Sequence, residues 1–239
     1  MSKLLEISDL YGGYKTGVDV LQGIGLSLEQ GEAVGIIGLN GSGKSTLGKA
    51  IMNMIPHRTG RIFLEGRDVG SKDTHELARM GIALMQQGGV VFPNLSVEQN
   101  LRLAWGSNPD KAFKARLEQI IPFIRQEKQA QTNRMADKLS GGQRHKLALA
   151  MALTRQPKLL VLDEPSAGLA PKDVEEMYGI LLKIREEMAM TILLIEQNVF
   201  QAVSFCDRCE LMEVGTITRH FNGHDNSVDE IERIMLNLK

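Results

Sequence analysis

The chain is short of several features that would assign a protein at once. Among its 239 residues there are only two cysteines, Cys206 and Cys209. That number excludes a disulfide framework and a four-cysteine zinc site. Their Cys-x-x-Cys spacing, with no second pair and no thioredoxin-like surroundings, reads as two reduced structural thiols. A helix running from about Val199 is expected to put both near one face. Charge of one sign is also lacking: 28 Lys and Arg against 29 Asp and Glu leave a net charge of −1. No general attraction to nucleic acid or acidic lipid follows. No stretch approaches the run of about 18 apolar residues that argues for a membrane span. The opening Met1-Ser2-Lys3-Leu4-Leu5-Glu6 becomes charged too early for a signal peptide. Internal repeats and low-complexity segments are absent too. What remains is a chain with 43% hydrophobic residues, enough for a full core. It is expected to be soluble and cytoplasmic, with any membrane link made through a partner.

The most specific signal is Gly38-Leu39-Asn40-Gly41-Ser42-Gly43-Lys44-Ser45-Thr46. The spacing Gly-x-x-x-x-Gly-Lys-Ser wraps a triphosphate. Glycines let the backbone turn tightly and approach the phosphates, and the freed N–H groups form an anion nest. In that frame Lys44 reaches the β- and γ-phosphates and the Ser45 hydroxyl ligates Mg²⁺. The context agrees. Ala33 to Ile37 reads as a buried strand, and Thr46 to Met54 as a helix whose N-terminus faces the phosphates.

A partner for the metal appears farther on. After Pro157, Lys158 to Leu162 is a continuous hydrophobic run, as in a central parallel strand buried on both faces. It ends in Asp163-Glu164, at the edge where α/β sheets bind ligands. Asp163 suits a Mg²⁺ partner, since that ion prefers oxygen ligands. Glu164 can accept a proton from a water aligned on the γ-phosphate.

Leu139-Ser140-Gly141-Gly142-Gln143 offers a second set of backbone N–H groups and a hydroxyl at the start of a helix expected over Gln143 to Thr154. One nucleotide has no need of two such sites. With both motifs present and in this order, the chain closely resembles the ATP-binding-cassette (ABC) ATPases from about Leu4 to Gly215. In that family two cassettes sandwich two ATP molecules, and Ser140, Gly141, Gly142 and Gln143 would complete the site of the facing subunit. The resemblance implies ATP and Mg²⁺ as ligands, a second ATPase subunit (self or sister), membrane permease subunits as partners and no nucleic acid. It places the protein at the inner face of the cell membrane, held there by the permease.

Further positions follow from the same resemblance. Gln87, in Met85-Gln86-Gln87-Gly88, looks like the Q-loop glutamine that senses Mg²⁺ and the γ-phosphate, with Gln86 as the adjacent alternative. Ser166-Ala167-Gly168-Leu169-Ala170-Pro171 looks like the D-loop, with Ala170 where most cassettes carry Asp. Tyr14 is a candidate to stack on adenine, since base–aromatic stacking tolerates any base; Tyr11 competes for the role. Beyond the apolar run Thr191 to Ile195, where most cassettes have a histidine, this chain reads Glu196-Gln197-Asn198. Gln197 can hydrogen-bond the γ-phosphate but does not titrate near neutrality as histidine does. These residues, together with Glu-Pro-Ser-x-Gly-Leu-Ala-Pro at 164–171 and Val-Phe-Pro-x-Leu-Ser-Val at 91–97, resemble the ATPases of branched-chain amino-acid importers. Gln143-Arg144-His145-Lys146 departs from that subgroup's usual continuation. An ATPase of a lipid or polysaccharide exporter, or a non-transport cassette, is the alternative.

The expected fold is therefore α/β: a P-loop NTPase core of mainly parallel sheet with helices, an antiparallel β subdomain and an inserted helical subdomain, all in one ABC ATPase domain over 1–239. Segments 32–90 and 157–215 supply the core, 94–156 the helical subdomain and 216–239 a C-terminal tail. Residues 1–31 and parts of 60–80 supply the antiparallel strands. Within the tail, 222–230 reads as a polar loop and Glu230 to Leu238 as a short helix with Ile231, Ile234, Met235 and Leu238 on one face. Phe92 or Leu95, just past the Q-loop, is expected to be exposed where the family docks a permease helix.

Overall fold

The computed structural model describes residues 2–106, 110–130, 134–222 and 228–236. The chain opens with two amphipathic strands, β1 (Lys3–Gly13) and β2 (Leu21–Glu29), paired antiparallel. Leu5, Ile7 and Leu10 of β1 turn inward at roughly alternate positions, the pattern of a sheet with one solvated face. On its other edge β1 pairs with β4 (His57–Leu64), which continues to β5 (Arg67–Asp68). The resulting sheet runs β2-β1-β4-β5, the antiparallel layer expected from 1–31 and 60–80. A helix of six residues, α2 (Thr74–Arg79), also lies in that stretch. Asp73 and Glu76 form a capping box at its start, a signal the sequence offers as Asp-x-x-Glu.

The second sheet carries the chemistry. Its order is β10-β9-β3-β8-β7-β6: β3 (Ala33–Ile37), β6 (Ile82–Met85), β7 (Leu159–Asp163), β8 (Thr191–Glu196) and β9 (Arg208–Glu213) run parallel, while β10 (Thr216–Asn222) is antiparallel to β9. β3, β7 and β8 are buried at every residue, as strands covered on both faces must be. Their unbroken apolar runs still split with period two. Leu160, Leu162, Ile192 and Leu194 join the core under the helices. Leu159, Val161, Leu193 and Ile195 join the core shared with the antiparallel layer and α1 (Lys44–Ile51). Each such Leu or Ile contributes ~2 kcal/mol of burial free energy.

Between β6 and β7 lies a helical layer: α3 (Val97–Trp105), α4 (Lys111–Ile120), α5 (Pro122–Ala130) and α6 (Gly141–Leu153). Ser96 with Gln99, and Ser140 with Gln143, cap α3 and α6 reciprocally, and Asp110 caps α4. Pro122 opens α5, where a missing N–H costs nothing. Pro109 lies outside the described residues. The remaining helices are α7 (Pro171–Met188), α8 (Val199–Phe205) and α9 (Val228–Met235).

Three expectations are corrected. The core does not end at 215: residues Thr216–Asn222 form its antiparallel edge strand. The cysteines do not share a helix, since α8 stops at Phe205 and Cys209 sits in β9. Both thiols are nonetheless free and buried, and both reach Gly35 of β3, where a Cβ would stand 2.8 Å from one sulfur and 3.2 Å from the other. The last helix begins at Val228 and not at Glu230, with Ile231 and Met235 buried. Leu238 and residues 223–227 of the polar loop lie outside the described residues. Among the described residues no helix is long and apolar enough to cross a membrane.

Candidate nucleotide site

Three strand ends converge. β8 lies between β3 and β7, with Ile37 paired to Glu196 and Asp163 paired to Ile195. The Gly38–Gly43 loop leaves β3 and runs into α1, so its backbone caps the sheet edge beside both acids. Gly38 is held against Met212: a Cβ there would stand 2.3 Å from the Met212 carbonyl oxygen, which only glycine avoids. Asn40 and Gly41 form the exposed tip. The Ser42 hydroxyl is buried without a partner. Gly43, with φ +106, precedes the first turn of α1.

Lys44 is 4% exposed, and its ammonium donates to the Gly38 carbonyl at 2.8 Å and the Leu39 carbonyl at 3.0 Å. Burial pushes its pKa down, opposed by the charges of Glu164, Asp163 and Glu196. The Ser45 hydroxyl donates to Asp163 Oδ1 at 2.9 Å. Burial raises the Asp163 pKa, with the Ser45 bond and Lys49 and Lys44 opposing. Glu164 follows in a left-handed conformation, φ +47. Its pKa is raised by burial, opposed by Lys44, and its carboxylate accepts from Gln87 Nε2 at 2.5 Å. Thr46 is buried and reaches the Tyr14 hydroxyl at 3.4 Å, and Lys49 lies over the Tyr14 ring, 5.9 Å from its centroid. Tyr14 is 47% exposed. Tyr11 lies instead against Gly23 of β2, where a Cβ would be 3.0 Å from its hydroxyl.

Gly38 to Thr46, Tyr14, Gln87, Asp163 and Glu164 are thus brought together. Ser140 to Gln143 are not. Ser140 is exposed and caps α6, accepting from the Gln143 N–H at 3.2 Å while Gln143 Oε1 accepts from the Ser140 N–H. Its neighbours are the segment before α7 and α7 itself: a Cβ on Gly141 would meet Leu169, and one on Gly142 would stand 2.3 Å from the Asp173 carboxylate. No described hydrogen bond joins this turn to the phosphate loop of the same chain. Gln197 is exposed, and its backbone N–H donates to Glu196 at 2.9 Å. A cavity of about 590 Å³ lies between α3, α4 and α5 and includes none of these residues.

Sequence reasoning missed three residues here. Glu196 ends a buried strand, the same signal that marks Asp163. Fully buried Asn100 accepts from the Phe92 N–H at 2.9 Å and donates to the Phe92, Leu95 and Ser96 carbonyls. No local pattern announces it, because its partners are all backbone. His145 is buried in α6; its Nδ1 lies 2.9 Å from the Gly141 carbonyl and its Nε2 has no partner.

A parallel sheet, a glycine-rich anion cradle and two carboxylates at strand ends define a phosphate-loop nucleoside triphosphatase. The chain belongs to the ABC transporter family, whose pattern matches residues 21–167, and it is an ATPase of that family. It is 36% identical to a probable branched-chain amino acid transport ATP-binding protein, LivF, of Archaeoglobus fulgidus, over 96% of each chain. The high-affinity branched-chain amino acid transport ATP-binding protein BraG of Pseudomonas aeruginosa is 33% identical over 91% of each. A lipopolysaccharide export system ATP-binding protein, LptB, of Acidithiobacillus ferridurans is 30% identical over 91% of this chain and 89% of its own. Among solved structures, a dimeric, post-hydrolysis cassette, MJ0796, bound to ADP and phosphate superposes with a TM-score of 0.79 at 25% identity, covering 93% of this chain and all of the other.

Proposed function

We propose that this chain is the ATP-hydrolysing subunit of an importer for branched-chain amino acids or related small solutes, working as a pair of cassettes on permease subunits at the inner face of the cell membrane. The observation that carries the pairing is the separation within one chain of an anion cradle at Gly38–Thr46 from the exposed turn Ser140–Gln143. A single nucleotide cannot use both unless a facing subunit supplies the second. Relatedness to LivF and BraG supports the importer and its substrate class.

The residues divide the work as follows. Tyr14 stacks on the base. Gly38, Asn40, Gly41, Ser42, Gly43 and Thr46 surround the phosphates, and the unpartnered Ser42 hydroxyl and the self-bonded Lys44 ammonium supply donors aimed at an anion. Ser45, Asp163 and Gln87 would hold Mg²⁺. The Ser45 hydroxyl and the Asp163 carboxylate already meet at 2.9 Å, and both are oxygen donors of the kind that ion prefers. The chemistry that the ion would supply there is charge neutralisation on the phosphates. Glu164 takes the proton of the attacking water, Gln197 hydrogen-bonds the outermost phosphate, and Ser140, Gly141, Gly142 and Gln143 of the facing subunit close the site. The helical insert over 94–156 carries that turn toward the partner, while 32–90 and 157–222 hold the nucleotide.

The test is size-exclusion chromatography with light scattering on Glu164→Gln, with and without Mg-ATP. A monomer that becomes a dimer only with nucleotide supports the pairing. A monomer throughout, with nucleotide binding demonstrated, means that a sister ATPase supplies the second half. For the substrate, leucine uptake by vesicles carrying the chain and its permease supports the importer, and outward lipid movement supports the exporter reading that likeness to LptB favours.

A further inference from the structure

Glu196 closes β8, the strand between the phosphate-loop strand and the Asp163 strand, and it is 3% exposed. One carboxylate oxygen accepts from the Ser166 hydroxyl at 2.6 Å and the Tyr178 hydroxyl at 3.0 Å. The other accepts from the backbone N–H groups of Gln197 at 2.9 Å and Asn198 at 3.1 Å. These four donors come from three separate parts of the chain. Ser166 lies in the loop that leaves Glu164, Tyr178 in α7, and Gln197 and Asn198 in the turn into α8.

A buried carboxylate is costly unless its lone pairs are filled, and here they are filled by groups whose mutual placement matters. The Glu164 backbone is left-handed, a strained conformation for a non-glycine residue that persists only when its surroundings hold it. Two of its restraints meet at the end of β8. The Glu164 N–H donates to the Ile195 carbonyl at 2.9 Å, and the loop, closed by Ala167 N–H on the Glu164 carbonyl at 3.1 Å, is pinned through Ser166 to Glu196. The same carboxylate fixes the backbone that carries Gln197.

We propose that Glu196 is a positioning residue that ties the Glu164–Ala170 loop to the Gln197–Asn198 turn, so that the two flanks of the reacting phosphate are set together. The importance of the two flanks rests on the roles given to Glu164 and Gln197 under Proposed function; the tie itself does not. The tie predicts an order among substitutions. Gln at 196 keeps an oxygen for the two backbone N–H groups and turns its amide toward two hydroxyls, which can rotate to accept. Ala leaves all four donors without their acceptor. Ser166→Ala removes the loop's bond and leaves the turn's own bonds in place.

The experiment uses the whole chain. Amide exchange at Gln197 and Asn198 is followed by NMR in the natural protein and in Ser166→Ala. Nucleotide affinity (with a fluorescent ATP analogue) and single-turnover hydrolysis are measured for these and for Glu196→Gln and Glu196→Ala. The expected result is exchange at least about 5-fold faster at residues 197 and 198 in Ser166→Ala, with nucleotide affinity within about twofold and hydrolysis slowed about 5-fold or more. Glu196→Gln should stay within about threefold of the natural rate, and Glu196→Ala should fall well below it. Unchanged exchange at 197 and 198 in Ser166→Ala overturns the tie; faster exchange there with Glu196→Ala hydrolysing like the natural chain overturns instead the roles given to the two flanks. Because exchange needs no turnover, it decides the tie even if Glu164 or Gln197 proves to have another role.

Discussion

Glu164 shows how one residue joins strain, burial and chemistry. Its left-handed backbone turns the chain sharply after β7, so its side chain meets Gln87 while that of Asp163 meets Ser45. Burial raises its pKa; a proton acceptor must be ionised, so the acid limb of hydrolysis should lie above the ordinary carboxylate range. Glu164→Gln should lower turnover by about 10²-fold or more, within the range a positioned base contributes, and leave nucleotide binding intact. A pH–rate profile checks the limb, and a Glu164→Gln enzyme that keeps both rate and limb would remove this residue from the reaction. Gln197 is argued differently. It offers a hydrogen bond without titrating, so Gln197→His should retain activity while Gln197→Ala loses about tenfold or more in steady-state ATPase rate, a loss consistent with removing one hydrogen bond to a charged group. Asp163 carries a stability cost as well as a role. Burial disfavours its charged form, so the cost applies above its raised pKa and vanishes as pH falls through it. Asp163→Asn should therefore raise the melting temperature of the nucleotide-free protein at neutral pH while abolishing Mg²⁺-dependent hydrolysis.

At the scale of elements, legibility followed locality. The strand over Ala33–Ile37 and the helix after it could be read because apolar runs, glycines and caps act within a few residues. The β10 edge strand was not legible: Thr216 to Asn222 has only partial alternation, and its pairing to β9 is decided by the neighbouring strand. The cysteines misled for a related reason, since α8 ends before its apolar pattern does and the chain crosses back into the sheet. Contacts between elements were the least visible. Gly89, with φ +61, packs on α6 so closely that a Cβ would stand 3.0 Å from backbone atoms of His145. The loop after β6 and the Ser140–Gln143 helix are thus pressed together at one point. Burial lowers the His145 pKa below its ordinary 6.5, so the unfolded chain binds a proton there that the folded one refuses. Stability should fall as pH drops below about 6.5, and His145→Gln should flatten that slope in denaturant titrations between pH 7 and 5. Gly89→Ala, strained in φ and in clash, should destabilise by ~1–3 kcal/mol.

For the whole molecule the proposed function raises the question of how hydrolysis would reach a permease. On the proposed function, the loop following Gln87 is the route to test, because Gln87 touches Glu164 while two apolar residues after it face outward: Val90 is 62% exposed and Phe92 49%. Leu95 is half-buried and belongs partly to the fold. Asn100 explains how an apolar side chain stays presented to water. By holding both the N–H and the carbonyl of Phe92 and the carbonyls of Leu95 and Ser96, it fixes the turn from below. Phe92 therefore contributes little to the core, and its replacement should cost no more than about 0.5 kcal/mol, as at ordinary surface positions. Phe92→Asp should leave melting temperature, nucleotide affinity and basal ATPase activity near their natural values. In proteoliposomes with the permease it should abolish solute-stimulated ATPase and uptake, because a charge now sits where an apolar helix would dock. Asn100→Ala provides the contrast: it removes four hydrogen bonds and leaves the Phe92 N–H without a partner, so it should lower melting temperature and coupling together. If Phe92→Asp melts early as well, the side chain belongs to the core and the docking surface must be sought elsewhere; if it transports normally, the permease does not touch this turn.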